Sequence, residues 1–318
     1  MAQSAPAPMR VLDAASTAAA LPYSALLPAL RAMLLRKHAG ATRAPERLVL
    51  PLNGGTLLAM PATDGEYAST KLVTVHAGNP QRGLPSLLGE VLLMRADTGE
   101  RLMMLDGPTV TGRRTAALSV LAARTLAPWA RGPMLIVGAG VQARAHLEAF
   151  AQVIGLKRLY VTSRTLAAAQ ALAARARELG IDASCVASAD EALGEARIVV
   201  TATTAGAALF GDAVRDDAFV AAVGAYRPEM CELPAGLIRR AAVFVDDLAG
   251  AHHEAGDILQ ARLDWSLVTA LERVVAGEVA APSHGPVVFK SVGQALWDLA
   301  AARLAFEAHA PVEAGGTR

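Results

Sequence analysis

Residues 134–150 read MLIVGAGVQARAHLEAF, and this stretch decides the fold. Four apolar residues, a glycine-rich turn and an amphipathic run predict a buried strand, a tight turn and a helix. Gly138, Gly140 and Ala143 fill the GxGxxA form of the dinucleotide-binding fingerprint. The first glycine permits the turn, the second lets the backbone approach a pyrophosphate, and the small Ala143 lets the helix pack close to the strand. Ala139, Val141 and Gln142 complete the loop. Its free N–H groups and the positive end of the helix dipole would face the phosphates. The bare pattern is weakly specific, but here a strand precedes it and a helix follows.

The next apolar run, RLYVT at 158–162, ends in Ser163, Arg164 and Thr165. Folds selective for NAD place an Asp or Glu at this turn to accept hydrogen bonds from the ribose 2′-hydroxyl. Two hydroxyls and a guanidinium stand here instead, a set suited to a 2′-phosphate. The cofactor expected is therefore NADPH, with NADH the less preferred alternative.

Downstream of Met134 the rhythm is strand, helix, strand, helix. Candidate strands are MLIVG, RLYVT, SCVAS, RIVVTAT, FVAAVGAY and AVFVDD, with helices starting near Gln142, Leu166 and Asp190. Near-continuous apolar strands alternating with helices predict a parallel sheet covered on both faces. The segment after Asp247 through Val279 reads as helical, and VVFK then precedes a final helix; the tail beyond Ala310 is expected to be disordered. Upstream, 24–37 has helical spacing despite Pro28. From Arg47 to Leu105 the pattern is short β-type runs, punctuated by Asn53-Gly54-Gly55, Gly78-Asn79-Pro80 and Asp97-Thr98-Gly99. Thr109–Leu126 reads as a long helix with Thr109 or Thr111 as its N-cap. The fold class expected is α/β: a Rossmann-type doubly wound sheet domain over 126–294 and a smaller α+β substrate and dimerisation domain over 1–125, completed by 295–318.

Hydrophobic residues make up 53% of the 318 and aromatics 4%, so the core must be built of Ala, Leu and Val. A formal net charge of +1 argues against nucleic acid or a polybasic membrane role. Cys185 and Cys231 stand far apart without CxxC or Cys/His spacing, which points to a reducing compartment and no structural zinc. The adjacent His252 and His253 point in different directions on a helix, so no metal is expected. MAQSAPAPMR at the start lacks a basic region followed by an apolar core, and a cytoplasmic location is expected.

Several stretches resemble the ornithine cyclodeaminase/mu-crystallin family of two-domain, NAD(P)-using dimers. They are STKLVTVHAGNPQRGLPS, LLMRADTGERLMMLDGPTVTGRRTAA, GAGVQA, VTATT, VGAYRPEMCEL and FKSVGQALWDL, and together they span most of the chain from Arg47 onward. The resemblance implies that Lys71 lies beside the reacting carbon, that Arg47 holds a substrate carboxylate, and that Arg114 sits close to cofactor and substrate. It also implies cofactor contact by Ser86 and a pocket lined by Thr201, Ala202, Thr203 and Thr204, by Val223, Gly224 and Ala225, and by Ser291, Val292 and Gly293. A homodimer rests on the same resemblance.

One departure matters more than these matches. Cyclodeaminases of the family carry a catalytic Asp in a segment that reads here GAYRPEMCEL, and Tyr226 stands in its place. A tyrosine with an unperturbed pKa near 10 does not replace a carboxylate at neutral pH. An aromatic residue there resembles the ketimine reductase branch, which implies NADPH-dependent reduction of Δ1-pyrroline-2-carboxylate to L-proline and of Δ1-piperideine-2-carboxylate to L-pipecolate. The alternatives are a cyclodeaminase that ejects ammonia from ornithine or lysine, and a non-enzymatic NADPH-binding crystallin-like protein. Arg47 and Arg114 are the expected carboxylate clamp and Lys71 the group near the imine. His76 reads as a hydrogen-bonded loop residue and Asp106 as a helix cap.

Overall fold

A computed structural model describes residues 8–309. The tail beyond Ala310 lies outside the described residues. The chain divides into two compact units, one through Arg114 and again from Ala295, the other Thr115–Gln294.

The first unit holds β1 (Arg10–Leu12), α1 (Ala14–Ala20), α2 (Tyr23–His38), β2 (Leu48–Leu52), β3 (Gly55–Thr63), β4 (Tyr67–Val75), β5 (Leu87–Arg95), β6 (Arg101–Asp106) and the start of α3 (Gly107–Leu126). Its sheet runs β1-β6-β5-β4-β3-β2, antiparallel except where β1 joins β6 in parallel. Asn53-Gly54 closes the β2–β3 hairpin with Leu52 opposite Gly55, and Gly54 sits at φ +76°, the left-handed conformation such a two-residue turn requires. β1 and α1 lie upstream of the 24–37 helical run, in a stretch for which the sequence predicted no element. A three-residue strand exists through its pairing with β6 rather than through its own propensity. Asp106, not Thr109 or Thr111, caps α3: its carboxylate accepts the Thr109 N–H at 2.8 Å, and Pro108 lies in the first turn.

The second unit continues α3 and adds β7 (Met134–Val137), α4 (Val141–Ile154), β8 (Arg158–Thr162), α5 (Leu166–Glu178), β9 (Asp182–Cys185), α6 (Asp190–Leu193), β10 (Ile198–Thr201), β11 (Phe219–Ala222), α7 (Ala235–Arg240), β12 (Ala242–Val245), α8 (Leu248–Glu254), α9 (Gly256–Ala261), β13 (Val268–Ala270), α10 (Leu271–Val275) and β14 (Val287–Lys290). α11 (Ala295–His309) returns to the first unit. Eight strands pair in parallel in the order β13-β12-β14-β11-β10-β7-β8-β9. β7, β10, β11 and β14 are buried at every position, which explains their lack of alternation. The segment after Asp247 corrects the expectation of continuous helix. Val268 and Ala270 are buried by pairing with β12, so β13 interrupts it.

Register then places the loops. Val137 lies opposite Thr162 and Thr201, Thr201 opposite Ala222, and Ala222 opposite Lys290. The residues that follow these strand ends therefore leave from one edge of the sheet, the carboxyl edge at which doubly wound folds bind ligands.

Candidate active site

Gly138 takes φ +113°, and a Cβ there would stand 2.5 Å from the Ala202 carbonyl oxygen. Only glycine allows the β7 and β10 loops to approach so closely. A Cβ at Gly140 would meet nothing within 4 Å, so open space lies against that backbone. Gly140 caps α4 without a side-chain hydrogen bond, and the positive end of the helix dipole at this turn suits an anion. Ala143 is fully buried, Gln142 half-buried, and Val141 and Arg144 face outward. The loop fits a dinucleotide pyrophosphate.

At the end of β8, Ser163 is half-buried and donates to the Thr165 carbonyl at 2.7 Å, while Arg164 and Thr165 are exposed. The guanidinium thus stands at the turn after the second strand of the fold.

Sequence reasoning missed what holds the remaining loops. Glu232, fully buried, accepts five hydrogen bonds at this edge. Oε1 takes the Thr203 N–H at 2.7 Å and its hydroxyl at 2.9 Å. Oε2 takes the Thr201 hydroxyl at 3.0 Å and the N–H groups of Gly224 and Ala225 at 2.8 and 3.2 Å. A Cβ on Gly224 would strike both Thr203 and this carboxylate. Asp246, following β12, does the same for the loop after β14, accepting the Ser291 hydroxyl at 2.8 Å and the N–H groups of Val292 and Gly293 at 3.0 and 2.9 Å. All three segments expected to line the cofactor pocket are held by buried carboxylates. Asp257 backs Glu232, accepting its N–H at 2.6 Å and that of Leu233 at 2.9 Å, and ion-pairs with buried Lys290 at 2.8 Å. Burial acts to raise the Asp257 carboxyl, but Lys290 together with the Glu232 and Leu233 N–H groups holds it below the usual range.

In the first unit the structure brings together Lys71, Arg114 and an unexpected Asp298. Lys71 lies on central strand β4, between Met60 of β3 and Val91 of β5, on the face covered by α11. It is 4% exposed, so it is neither an edge nor a solvent lysine. Asp298, in the first turn of α11, meets Lys71 Nζ at 2.8 Å and Arg114 Nε at 3.0 Å. Arg114 lies two turns into α3, so its counter-charge is this carboxylate and its place is not the helix N-terminus. Burial, with help from Arg114 and Arg47, pulls the Lys71 ammonium down to about 8 against the support of Asp298. Burial alone would raise Asp298; Arg114 and Lys71 hold it below the carboxylate range. Two cations, Lys71 and Arg114, share one carboxylate, and Arg47 is close enough to act on Lys71. The excess suits an anionic ligand.

Arg47 is half-buried just before β2. His76 is half-buried after β4, and its N–H donates to the carbonyl of exposed Ser86 at 2.8 Å, closing the loop that both residues flank. Tyr226 is half-buried after β11, with the Arg227 guanidinium 5.5 Å from its ring centre. Both cysteines are free thiols, and burial raises Cys231 to about 11, which makes it inert. Among the described residues no group of three or more His, Cys, Asp or Glu is arranged around a metal, and no single helix is long and apolar enough to cross a membrane.

A parallel doubly wound sheet with an open GxGxxA turn, together with a unit that buries a lysine–aspartate–arginine cluster, defines a nicotinamide-dependent oxidoreductase. Residues 9–311 match the family model of ornithine cyclodeaminase/mu-crystallin, and the chain belongs to that family. A Δ1-pyrroline-2-carboxylate/Δ1-piperideine-2-carboxylate reductase of Azospirillum brasilense is 43% identical over 97% of this chain and 98% of its own. The ketimine reductase mu-crystallin of Mus musculus is 35% identical over 89% of this chain and 92% of its own. The solved Δ1-pyrroline-2-carboxylate reductase of Thermococcus litoralis, in complex with NADH and L-proline, has a TM-score of 0.88 at 29% identity, covering 94% of this chain and 97% of that one.

Proposed function

We propose that this chain reduces cyclic ketimines, Δ1-pyrroline-2-carboxylate and Δ1-piperideine-2-carboxylate, to L-proline and L-pipecolate with NADPH. The buried Lys71–Asp298–Arg114 cluster carries the reading. An imine carbon that accepts a hydride needs a proton delivered to its nitrogen and a carboxylate held still. Arg114 and Arg47 orient the substrate carboxylate; Lys71, an ammonium weakened to about 8, gives its proton to the imine nitrogen, and Asp298 aims it. The cofactor, when bound on the GAGVQA turn, supplies the hydride. Tyr226 stands in place of the cyclodeaminase acid, so that position carries no carboxylate for deamination. Exposed Arg164 beside Ser163 favours NADPH over NADH, and the two free thiols suit a cytoplasmic location.

A second copy of the chain is the partner proposed for the outer sheet face of the first unit. Leu48, Leu50, Leu72 and Leu88 on that face are 57%, 47%, 45% and 41% exposed. An apolar patch of this kind marks an interaction surface.

The deciding assay follows NADPH absorbance with each cyclic imine, beside NADH controls and beside ammonia release from ornithine. The expected result is imine-dependent oxidation of NADPH, lost in Lys71→Ala. No oxidation of either cofactor overturns the reductase reading.

A further inference from the structure

We propose that Glu232 is a positioning residue of the nicotinamide half-site, joining the loops after β10 and β11 and fixing behind them a negative charge that favours the oxidised cofactor. The inference rests on the reading of the chain as a nicotinamide-dependent reductase. A dinucleotide lies across the carboxyl edge where strand order reverses, here between β7 and β10. Ser163 and Arg164 follow β8 and take the adenosine side, so the nicotinamide side falls to the loops after β10 and β11. Those are the two loops Glu232 ties together.

Both oxygens of Glu232 face backbone N–H groups, the pattern of an acceptor-only, ionised carboxylate. Its five donors are uncharged, whereas the charge of neighbouring Asp257 is matched by Lys290. The oxidised nicotinamide ring carries a positive charge and the reduced ring does not. A fixed negative charge on this side therefore stabilises the oxidised form and makes the bound reduced form the better hydride donor. A unit charge within about 12 Å, at an effective dielectric of about 20, changes such a preference by about tenfold.

The test measures dissociation constants of NADPH by fluorescence and of NADP+ by calorimetry, on the full chain without substrate. In Glu232→Gln an amide must turn a donor toward at least one N–H, so both affinities fall. NADP+ is expected to weaken about tenfold more than NADPH. A purely structural role moves both constants by one factor, and an unmoved ratio overturns the proposal. Should that variant not fold, Thr201→Val is isosteric and keeps the charge while removing one of its donors. The ratio is then expected to move the opposite way, by about twofold. A ratio that stays put or moves with the loss of charge overturns the proposal. A parent protein that binds neither nucleotide overturns the cofactor reading itself, a distinct failure.

Discussion

Asp298→Asn removes one charge and almost no volume from the cluster in the first unit. At the observed 2.8 Å from Lys71 Nζ, a unit charge at an effective dielectric of about 20 contributes about 6 kcal/mol of Coulomb attraction. At about 1.4 kcal/mol per tenfold change, even half of that brings the ammonium from about 8 to below neutrality. Lys71 is then deprotonated at working pH, and Arg114 loses the carboxylate that fixes its Nε at 3.0 Å. Losing a general acid costs about 100-fold or more in rate. Breaking a buried pair also costs about 3–5 kcal/mol of stability, or about 6–20 °C in Tm, less whatever Lys71 recovers by shedding its proton. The assay is the pH profile of kcat/KM for imine reduction, with thermal unfolding and a 13Cε titration of Lys71 alongside. In the parent the rate falls as pH rises through about 8. In the variant the same limb lies below pH 7. A limb that stays in place, with full turnover and an unchanged Tm, would refute the role given to Asp298.

Three further outcomes are expected. Arg164→Ala raises KM for NADPH by about 10- to 100-fold, the worth of a charge-assisted bond to phosphate, and leaves KM for NADH within about twofold; steady-state kinetics with both cofactors show it, and an unchanged selectivity ratio sinks the 2′-phosphate assignment. Leu72→Glu puts a charge on an exposed apolar sheet face and converts a dimer to a monomer in sedimentation equilibrium; dimers that persist at micromolar protein place the interface elsewhere. His146, fully buried on α4, bonds through Nδ1 to the Gln142 carbonyl at 2.7 Å and through Nε2 to Ser119 at 2.9 Å, and burial pushes it down to about 4. The unfolded chain then binds the extra proton first, so its contribution is complete above about pH 6.5 and lost as pH falls toward 4. Denaturant melts across that range show about 3 kcal/mol of acid sensitivity from this group, and His146→Gln flattens it; an equally steep acid limb in the variant assigns it to other residues.

Local features of the chain carried their information because their causes are local. The GAGVQA turn, the Asn53-Gly54 hairpin and the buried strands are each set by steric demands or hydrophobic period within a few residues. Asp106 also had a local signal, an Asp directly before Gly107-Pro108 at a helix start, and it caps the helix in preference to the two threonines further in. β13 had almost none, because three residues that pair at a sheet edge look like helix without their neighbour.

Asp298, Glu232 and Asp246 are a different case. Asp298 stands 184 positions from Arg114, and the hint it offered was a carboxylate flanked by Trp297 and Leu299 in the first turn of a strongly apolar helix, where a buried carboxylate needs a partner. Glu232 lay inside a motif already singled out, but nothing in PEMCEL says that it faces two loops 29 and 8 positions away. The sequence by itself determined the nucleotide-binding fold and put an arginine after β8, while a family resemblance singled out the lysine and arginine of the first unit. Tertiary structure alone decided which carboxylates compensate them and hold the loops. An ion pair is made by distance and desolvation, and both arise only once remote segments are packed together.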